Sequence, residues 1–71
     1  MPDPGIRNHI RRLRFEHGEM TQDALAKQAG VTRHTIMALE AGKYAPSLLL
    51  AFRIAKAFGL PLEQVFQHDG G

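Results

Sequence analysis

The stretch TQDALAKQAGVTRHTIMALEA, residues 21–41, decides the fold of this chain because it predicts two short helices separated by a tight turn. Thr21 and Thr32 each place a side-chain oxygen where the first free N–H groups of a helix need an acceptor. Gly30 stands between them, where glycine turns left-handed without steric cost. The segment therefore predicts one helix over Gln22–Ala29 and another over Arg33–Ala41.

Apolar residues of this segment recur at helical spacing. They are Leu25, Ala26, Ala29, Val31, Ile36 and Leu39. With a period near 3.6 residues they give each helix one inward face. Ala26 is small at a place where two helices meeting across a short turn bring their backbones close together. The pattern therefore predicts a helix-turn-helix, a motif that also occurs in proteins with no role on DNA.

Eight residues in register resemble the helix-turn-helix of the phage-repressor (Xre/Cro-like) transcription regulators. They are Gln22, Leu25, Ala26, Ala29, Gly30, Val31, Ile36 and Leu39. From Glu40 to Phe66 the chain resembles the smallest members, in which a glycine-lysine loop ending in proline precedes a helix with an isoleucine-alanine pair. The resemblance covers residues 6–66. It implies an all-α, five-helix, lambda-repressor-like DNA-binding domain whose helix-turn-helix is formed by helices 2 and 3.

The other helices are predicted from caps and stops. Asp3-Pro4 suits the start of a first helix over Pro4–His17, which Gly18 ends. A fourth helix, Leu48–Phe58, follows Ser47 as its cap. The core-facing side of this helix is expected to consist of Leu48, Ala51, Phe52, Ala55 and Phe58. Leu60-Pro61 introduces a short fifth helix to about Phe66. No strand pattern is found, residues 67–71 are expected to fray, and residues 1–71 are expected to form one domain with its core over about 6–66.

Composition limits the function classes. The chain has 71 residues, 44% of them hydrophobic and 23% charged, no cysteine and a formal net charge of +2. Such a length allows one small core. Without cysteine there is no disulfide or thiolate metal site, and no apolar run is long enough to span a membrane. The chain has no glycine-rich phosphate loop after a strand and no metal spacing among its histidines, so we expect no enzyme, no metal and no cofactor, and a cytoplasmic location.

The distribution of charge favours a polyanionic partner. Glu40 is the only acidic residue between positions 24 and 62, whereas Lys27, Arg33 and Lys43 lie in or beside the helical pair. A surface poor in acids attracts phosphates through counterion release. This charge is compatible with a polyanion without being diagnostic, and the family resemblance implies that the partner is double-stranded DNA. RNA is less favoured because no aromatic strand platform is present.

The resemblance implies which residues contact DNA. The family places its second motif helix, here 33–41, in the major groove, and the N-terminal end of the first on the phosphate backbone. Projection at 100° per residue places Ile36, Leu39 and Glu40 inward. It places His34, Met37, Ala38 and Ala41 outward, with Arg33 and Thr35 on the flanks. Arg33 and His34 are the two residues able to read bases, with a phosphate contact alone as the open alternative for Arg33. The candidate DNA contacts are Gln22, Thr32, Arg33, His34, Thr35, Met37, Ala38 and Lys43. Because Met37 and Ala38 are apolar where many family members are polar, either they contact thymine methyl groups, which is favoured, or this face has lost its role on DNA.

Two further sets of residues have expected roles. Arg14 and Glu40 match a structural ion pair that joins the first and third helices in this family. A homodimer is expected because two-fold repressors span two half-sites about 34 Å apart. The residues expected at the dimer interface are Leu49, Leu50, Ile54, Leu62, Val65 and Phe66. The same apolar surface leaves open an alternative function, a protein-interaction module such as an antitoxin whose main partner is a toxin.

Overall fold

Five helices follow one another in the computed structural model, which describes residues 5–68. They are α1 (Ile10–Glu16), α2 (Gln22–Ala29), α3 (Arg33–Glu40), α4 (Leu48–Phe58) and α5 (Leu62–Val65). Two strands, β1 (Ile6–Asn8) and β2 (Phe66–His68), pair near the two ends of that range. No helix within residues 5–68 is long and apolar enough to cross a bilayer. The five-helix prediction is confirmed, with a small two-stranded sheet added to it.

Side-chain caps set the starts of α2, α3 and α4, and the cap of α3 is the Thr32 hydroxyl, which accepts from the Thr35 N–H at 3.2 Å. The Thr21 hydroxyl accepts from the Ala24 N–H at 3.0 Å, and the Ser47 hydroxyl accepts from the Leu50 N–H at 3.1 Å. Gly30 ends α2 with a φ of 73°, in the left-handed region that favours glycine. The bounds of α2 and α4 are those predicted, while α3 ends one residue earlier than predicted, at Glu40.

The first helix starts later than predicted, at Ile10 instead of Pro4. Asn8 explains the difference: its side-chain oxygen accepts from the Ile10 N–H at 3.2 Å, and its amide nitrogen donates to the Leu39 carbonyl at 2.8 Å. Asparagine bonded in this way competes with helical backbone bonding, so the helix begins after it. The predicted Asp3-Pro4 helix start lies outside the described residues.

The prediction that residues 67–71 fray is wrong for Gln67 and His68, while 69–71 lie outside the described residues. Strand β2 pairs antiparallel with β1, with Ile6 opposite His68 and Asn8 opposite Phe66. The His9 N–H extends this contact by donating to the Val65 carbonyl at 2.9 Å. Strands of three residues are too short to show a two-residue alternation in the sequence, which is why no strand was predicted.

One apolar core joins all five helices. Its buried members are Ile10, Leu13, Leu25, Ala26, Ala29, Ile36, Leu39, Ala51, Ile54, Ala55, Phe58, Val65 and Phe66. Helix α2 packs against both α3 and α4. Ala26 is only 3% exposed, which agrees with its predicted place at the close approach of the motif helices. The core therefore holds α3 on one side of α2 and leaves the outer face of α3 uncovered.

Helix α4 presents a different face to the core than predicted. Leu48 and Phe52, expected inside, are 67% and 53% exposed, whereas Ile54 is fully buried. Arg53 and Lys56 explain this rotation. At 100° per residue these two charges fix the solvent side, and the opposite side contains Ala51, Ile54, Ala55 and Phe58.

This packing corrects the candidate dimer surface. Ile54 and Val65 are 0% exposed and Phe66 is 8% exposed, so all three belong to the chain's own core and are not available to a second copy. Leu50 and Leu62 are partly buried against that core. Of the six residues expected at a dimer interface, only Leu49 is largely exposed, at 61%.

Candidate nucleic-acid interface

The outer face of α3 is the candidate reading surface. Ile36 and Leu39 face the core, with 0% and 1% exposure, and so fix the rotation of the helix. His34 and Met37 are exposed on the other side, as the projection predicts, and Ala38 is partly exposed. Arg33, projected to the flank of the helix, is exposed as well. The side chains most able to hydrogen-bond a base edge, Arg33 and His34, lie together in the first turn.

An ion pair fixes α3 against α1. The Arg14 Nε donates to Glu40 Oε2 at 2.7 Å, and its Nη2 donates to Glu40 Oε1 at 3.0 Å. The two side chains are 13% and 10% exposed, so they are largely removed from water. The Arg14 Nη1 also donates to the Met20 carbonyl at 2.9 Å, just before α2 begins. One guanidinium thus joins α1, α3 and the approach to α2.

Gln22 extends this network to the start of α3. Its Nε2 donates to Glu40 Oε1 at 3.2 Å, and its Oε1 accepts from the Arg33 Nε at 3.4 Å. The side chain expected to bind a phosphate therefore lies between the ion pair and the residue expected to read a base. One amide hydrogen of Gln22 and the terminal NH₂ groups of Arg33 remain for DNA. Arg33 is oriented through contacts that begin at Arg14.

The two threonines form the N-terminal turn of α3. The Thr32 hydroxyl accepts from the Thr35 N–H at 3.2 Å and lies 3.1 Å from the Thr35 hydroxyl. Thr32 therefore caps the helix in the free protein, and both hydroxyls already have a partner. The remaining free N–H groups at this end still favour an anion such as a phosphate.

Lys43 lies beyond the other end of α3. It is exposed in the loop between α3 and α4, where its N–H donates to the Ala38 carbonyl at 3.1 Å. The structure therefore brings Gln22, Thr32, Arg33 and Thr35 together at one end of the candidate surface and places Lys43 at the opposite end. A surface of this layout can contact a backbone on both sides of a groove.

Sequence reasoning identified only part of the exposed apolar face of α4, because it included Leu49 but assigned Leu48 and Phe52 to the core. Leu48, Leu49 and Phe52 lie on it at 67%, 61% and 53% exposure. The positions of Arg53 and Lys56 could have revealed the solvent-facing side of α4. In a helix with only two charges, those charges mark the exposed side better than the apolar residues do. Within residues 5–68 no three His, Asp or Glu side chains are grouped to hold a metal ion.

Comparison with known proteins agrees with this geometry. A helix-turn-helix family model matches residues 10–65. The chain is 48% identical over 64 residues to an uncharacterised HTH-type transcriptional regulator of Methanocaldococcus jannaschii, covering 90% of this chain and 96% of that relative. It is 53% identical over 65 residues to one of Methanothermobacter thermautotrophicus, covering 90% and 93%. The regulator YgzD of Bacillus subtilis, also uncharacterised, is 46% identical over 61 residues, with 86% and 91% covered.

A solved structure shares the fold. The crystal structure of a Bacteroides fragilis protein superposes on this chain with a TM-score of 0.76 at 26% sequence identity. The DNA-binding role of that protein is itself an inference. The match covers 87% of this chain and 98% of that one. The arrangement of helices around the α2–α3 motif is therefore common to both proteins.

Proposed function

The chain belongs to the Xre/Cro-like helix-turn-helix family of transcription regulators, and from that premise we propose that it is a sequence-specific repressor that binds double-stranded DNA as a homodimer. In this proposal α3 enters the major groove, the chain acts as a single domain in the cytoplasm, and no cofactor takes part. The observation that carries the proposal is the exposed face of α3, with Arg33 oriented by Gln22 and the Arg14–Glu40 pair.

Base recognition is assigned to the outer face of α3. The fork of Arg33 suits the O6 and N7 acceptors of guanine, and His34 can donate to a purine N7. Met37, which is 45% exposed, and Ala38 offer apolar contact to thymine methyl groups. Because this face has few hydrogen-bonding groups, each half-site supplies modest discrimination, and two half-sites are needed for a specific operator.

Backbone contacts are assigned to the residues at the two ends of α3. Gln22, Thr32 and Thr35 face one strand at the helix N-termini, where N–H groups and the helix dipole favour a phosphate. Lys43 contacts the other strand as a point charge. These contacts fix register and supply affinity without sequence information.

The dimer is proposed to form through the exposed face of α4. Three large apolar side chains, Leu48, Leu49 and Phe52, lie close together there at spacings of one and four residues. Exposed apolar surface of this kind commonly marks a protein interface. The chain measures 31 × 23 × 21 Å, so two touching copies are of a size compatible with half-sites roughly 34 Å apart.

Replacing Phe52 with glutamate is expected to break the dimer. A charge buried at the centre of an apolar interface costs about 2 kcal/mol or more, which raises the dimer Kd about thirtyfold. Sedimentation equilibrium measures this. Phe15→Glu is the matched control, because Phe15 is exposed to a similar extent, 57%, but lies on α1. If the wild type sediments as a monomer at tens of micromolar, the homodimer proposal fails.

The same apolar face supports one alternative function. A module of this fold can serve mainly as a protein partner, for example as an antitoxin that binds a toxin, with Leu48, Leu49 and Phe52 covered by that protein instead of a second copy. A wild-type monomer that also lacks sequence-selective DNA binding is the outcome that favours this alternative.

Selection of bound sites from randomised duplex DNA tests the proposed function. We expect an enriched, two-fold symmetric sequence whose half-sites are about 10 base pairs apart, and an affinity that falls steeply with salt. Placing the enriched site across a promoter should then lower transcription. Enrichment of no sequence above the starting pool would contradict the proposal.

A further inference from the structure

A second basic surface lies between α2 and α4. It is a cleft of about 630 Å³ lined by Lys27, Gln28, Ala29, Gly30, Arg53, Lys56 and Ala57. Three of these residues are cationic and none is acidic. None of the residues assigned above to DNA or to the dimer lines it, so the cleft requires its own explanation.

The three cations have no partner within the part of the chain that the structure describes. No hydrogen bond or ion pair joins the side chain of Lys27, Arg53 or Lys56 to another of residues 5–68. Lys27 and Lys56 lie in the last turns of their helices, where a cation also suits the helix dipole. Arg53 lies in the middle of α4, where that reason does not apply. Its exposed guanidinium is available to a ligand.

Arg53 lies over the turn of the helix-turn-helix. A Cβ atom built on Gly30 would be 3.4 Å from the Arg53 Nη1, so the guanidinium is close to the backbone that joins α2 and α3. The small residues Ala29, Gly30 and Ala57 form a recess between the cations. Its volume lies in the range of small-ligand sites, roughly 300–1,000 Å³.

We propose that this cleft binds a small anion with two or more phosphate groups, held by Lys27, Arg53 and Lys56. The planar fork of Arg53 suits bidentate bonding to phosphate oxygens, and the two lysines add point charges from both sides. This site goes beyond the DNA-binding function and does not depend on it. A ligand that contacts Arg53 also lies beside the turn that sets the angle between α2 and α3.

An amide NMR titration with inorganic pyrophosphate at low ionic strength tests the site. We expect saturable shifts centred on Lys27, Gly30 and Arg53. Arg53→Gln should weaken binding about tenfold, since one charge-assisted bidentate contact is lost. Arg11→Gln is the matched control: it removes one exposed positive charge from α1, away from the cleft, and should change the affinity less than about twofold. Both positions are exposed, so both variants should keep the fold.

Parallel titrations separate the possible sources of phosphate. Orthophosphate should bind more weakly than pyrophosphate. Equal affinities for pyrophosphate and ADP would show that the site recognises the phosphates alone. A higher affinity for ADP would identify the ligand as a nucleotide. Shifts without saturation, or equal losses in Arg53→Gln and Arg11→Gln, would show a response to net charge only and overturn the site. If pyrophosphate does not bind and Arg53→Gln weakens binding to all DNA, the cleft is a DNA backbone contact and the proposal is wrong.

Discussion

Replacement of Glu40 with alanine is expected to lower the free energy of unfolding by about 3 kcal/mol, because it leaves the Arg14 guanidinium largely buried without its carboxylate. Gln22 also loses the acceptor that holds it beside Arg33. For a domain of 71 residues, with a stability of about 0.05–0.15 kcal/mol per residue, this is a large share of the total. Urea unfolding followed by circular dichroism measures the loss.

The exposed pair Arg12–Glu16 supplies the matched control. Its atoms are 3.7 Å apart and its side chains are 61% and 58% exposed, so Glu16→Ala should cost less than about 0.5 kcal/mol. Removing both buried charges together, in the double variant Arg14→Met and Glu40→Leu, should recover most of the stability lost in Glu40→Ala. A loss in Glu40→Ala no larger than that in Glu16→Ala would show that the ion pair does not hold α3 in place.

Replacement of Arg33 with alanine is expected to weaken binding to the selected operator by about 1–3 kcal/mol while changing binding to random DNA much less. The reason is that a bidentate contact to guanine is made only at the correct base. Fluorescence anisotropy with the operator and with a scrambled duplex, each at several salt concentrations, gives the specificity ratio directly. Arg33→Ala should reduce that ratio, because discrimination is lost at one base position of each half-site.

Lys43→Ala is the control for this experiment, because Lys43 is exposed and is assigned to the backbone. It should weaken both duplexes alike and reduce the salt slope by about one. Small and equal losses on both duplexes in Arg33→Ala would mean that Arg33 also contacts only the backbone, and that the bases are read by another residue or not at all.

The helix-turn-helix was predictable because its signals are local. Threonine caps, Gly30 and the apolar spacing of α2 and α3 each act within a few residues, and they agree with one another. The network from Arg14 to Arg33 was predictable only in part. The family pattern identifies Arg14 with Glu40, whereas the place of Gln22 between Glu40 and Arg33 depends on how α2 and α3 cross.

The errors arose where structure depends on distant contacts. Asn8 delays the start of α1 because its side chain donates to the Leu39 carbonyl, 31 residues later in the chain. The β1–β2 pairing joins segments from opposite ends of the chain, and strands of three residues carry no periodic signal. Helix α4 is apolar over most of its surface, so its rotation had to be fixed by its two charges. The sequence analysis assigns Leu48 and Phe52 to the core, but the structure exposes both, and they now belong to the surface proposed for the dimer.

The central claim is that the exposed face of α3 enters the major groove, and purine N7 substitution tests it most directly. The N7 atoms lie in the major groove and are absent from the minor groove edge. Replacing each guanine and adenine of the selected operator in turn with its 7-deaza analogue should weaken binding at specific positions in each half-site, and Arg33→Ala should remove the sensitivity at one of them. Binding that tolerates every 7-deaza substitution would contradict the claim.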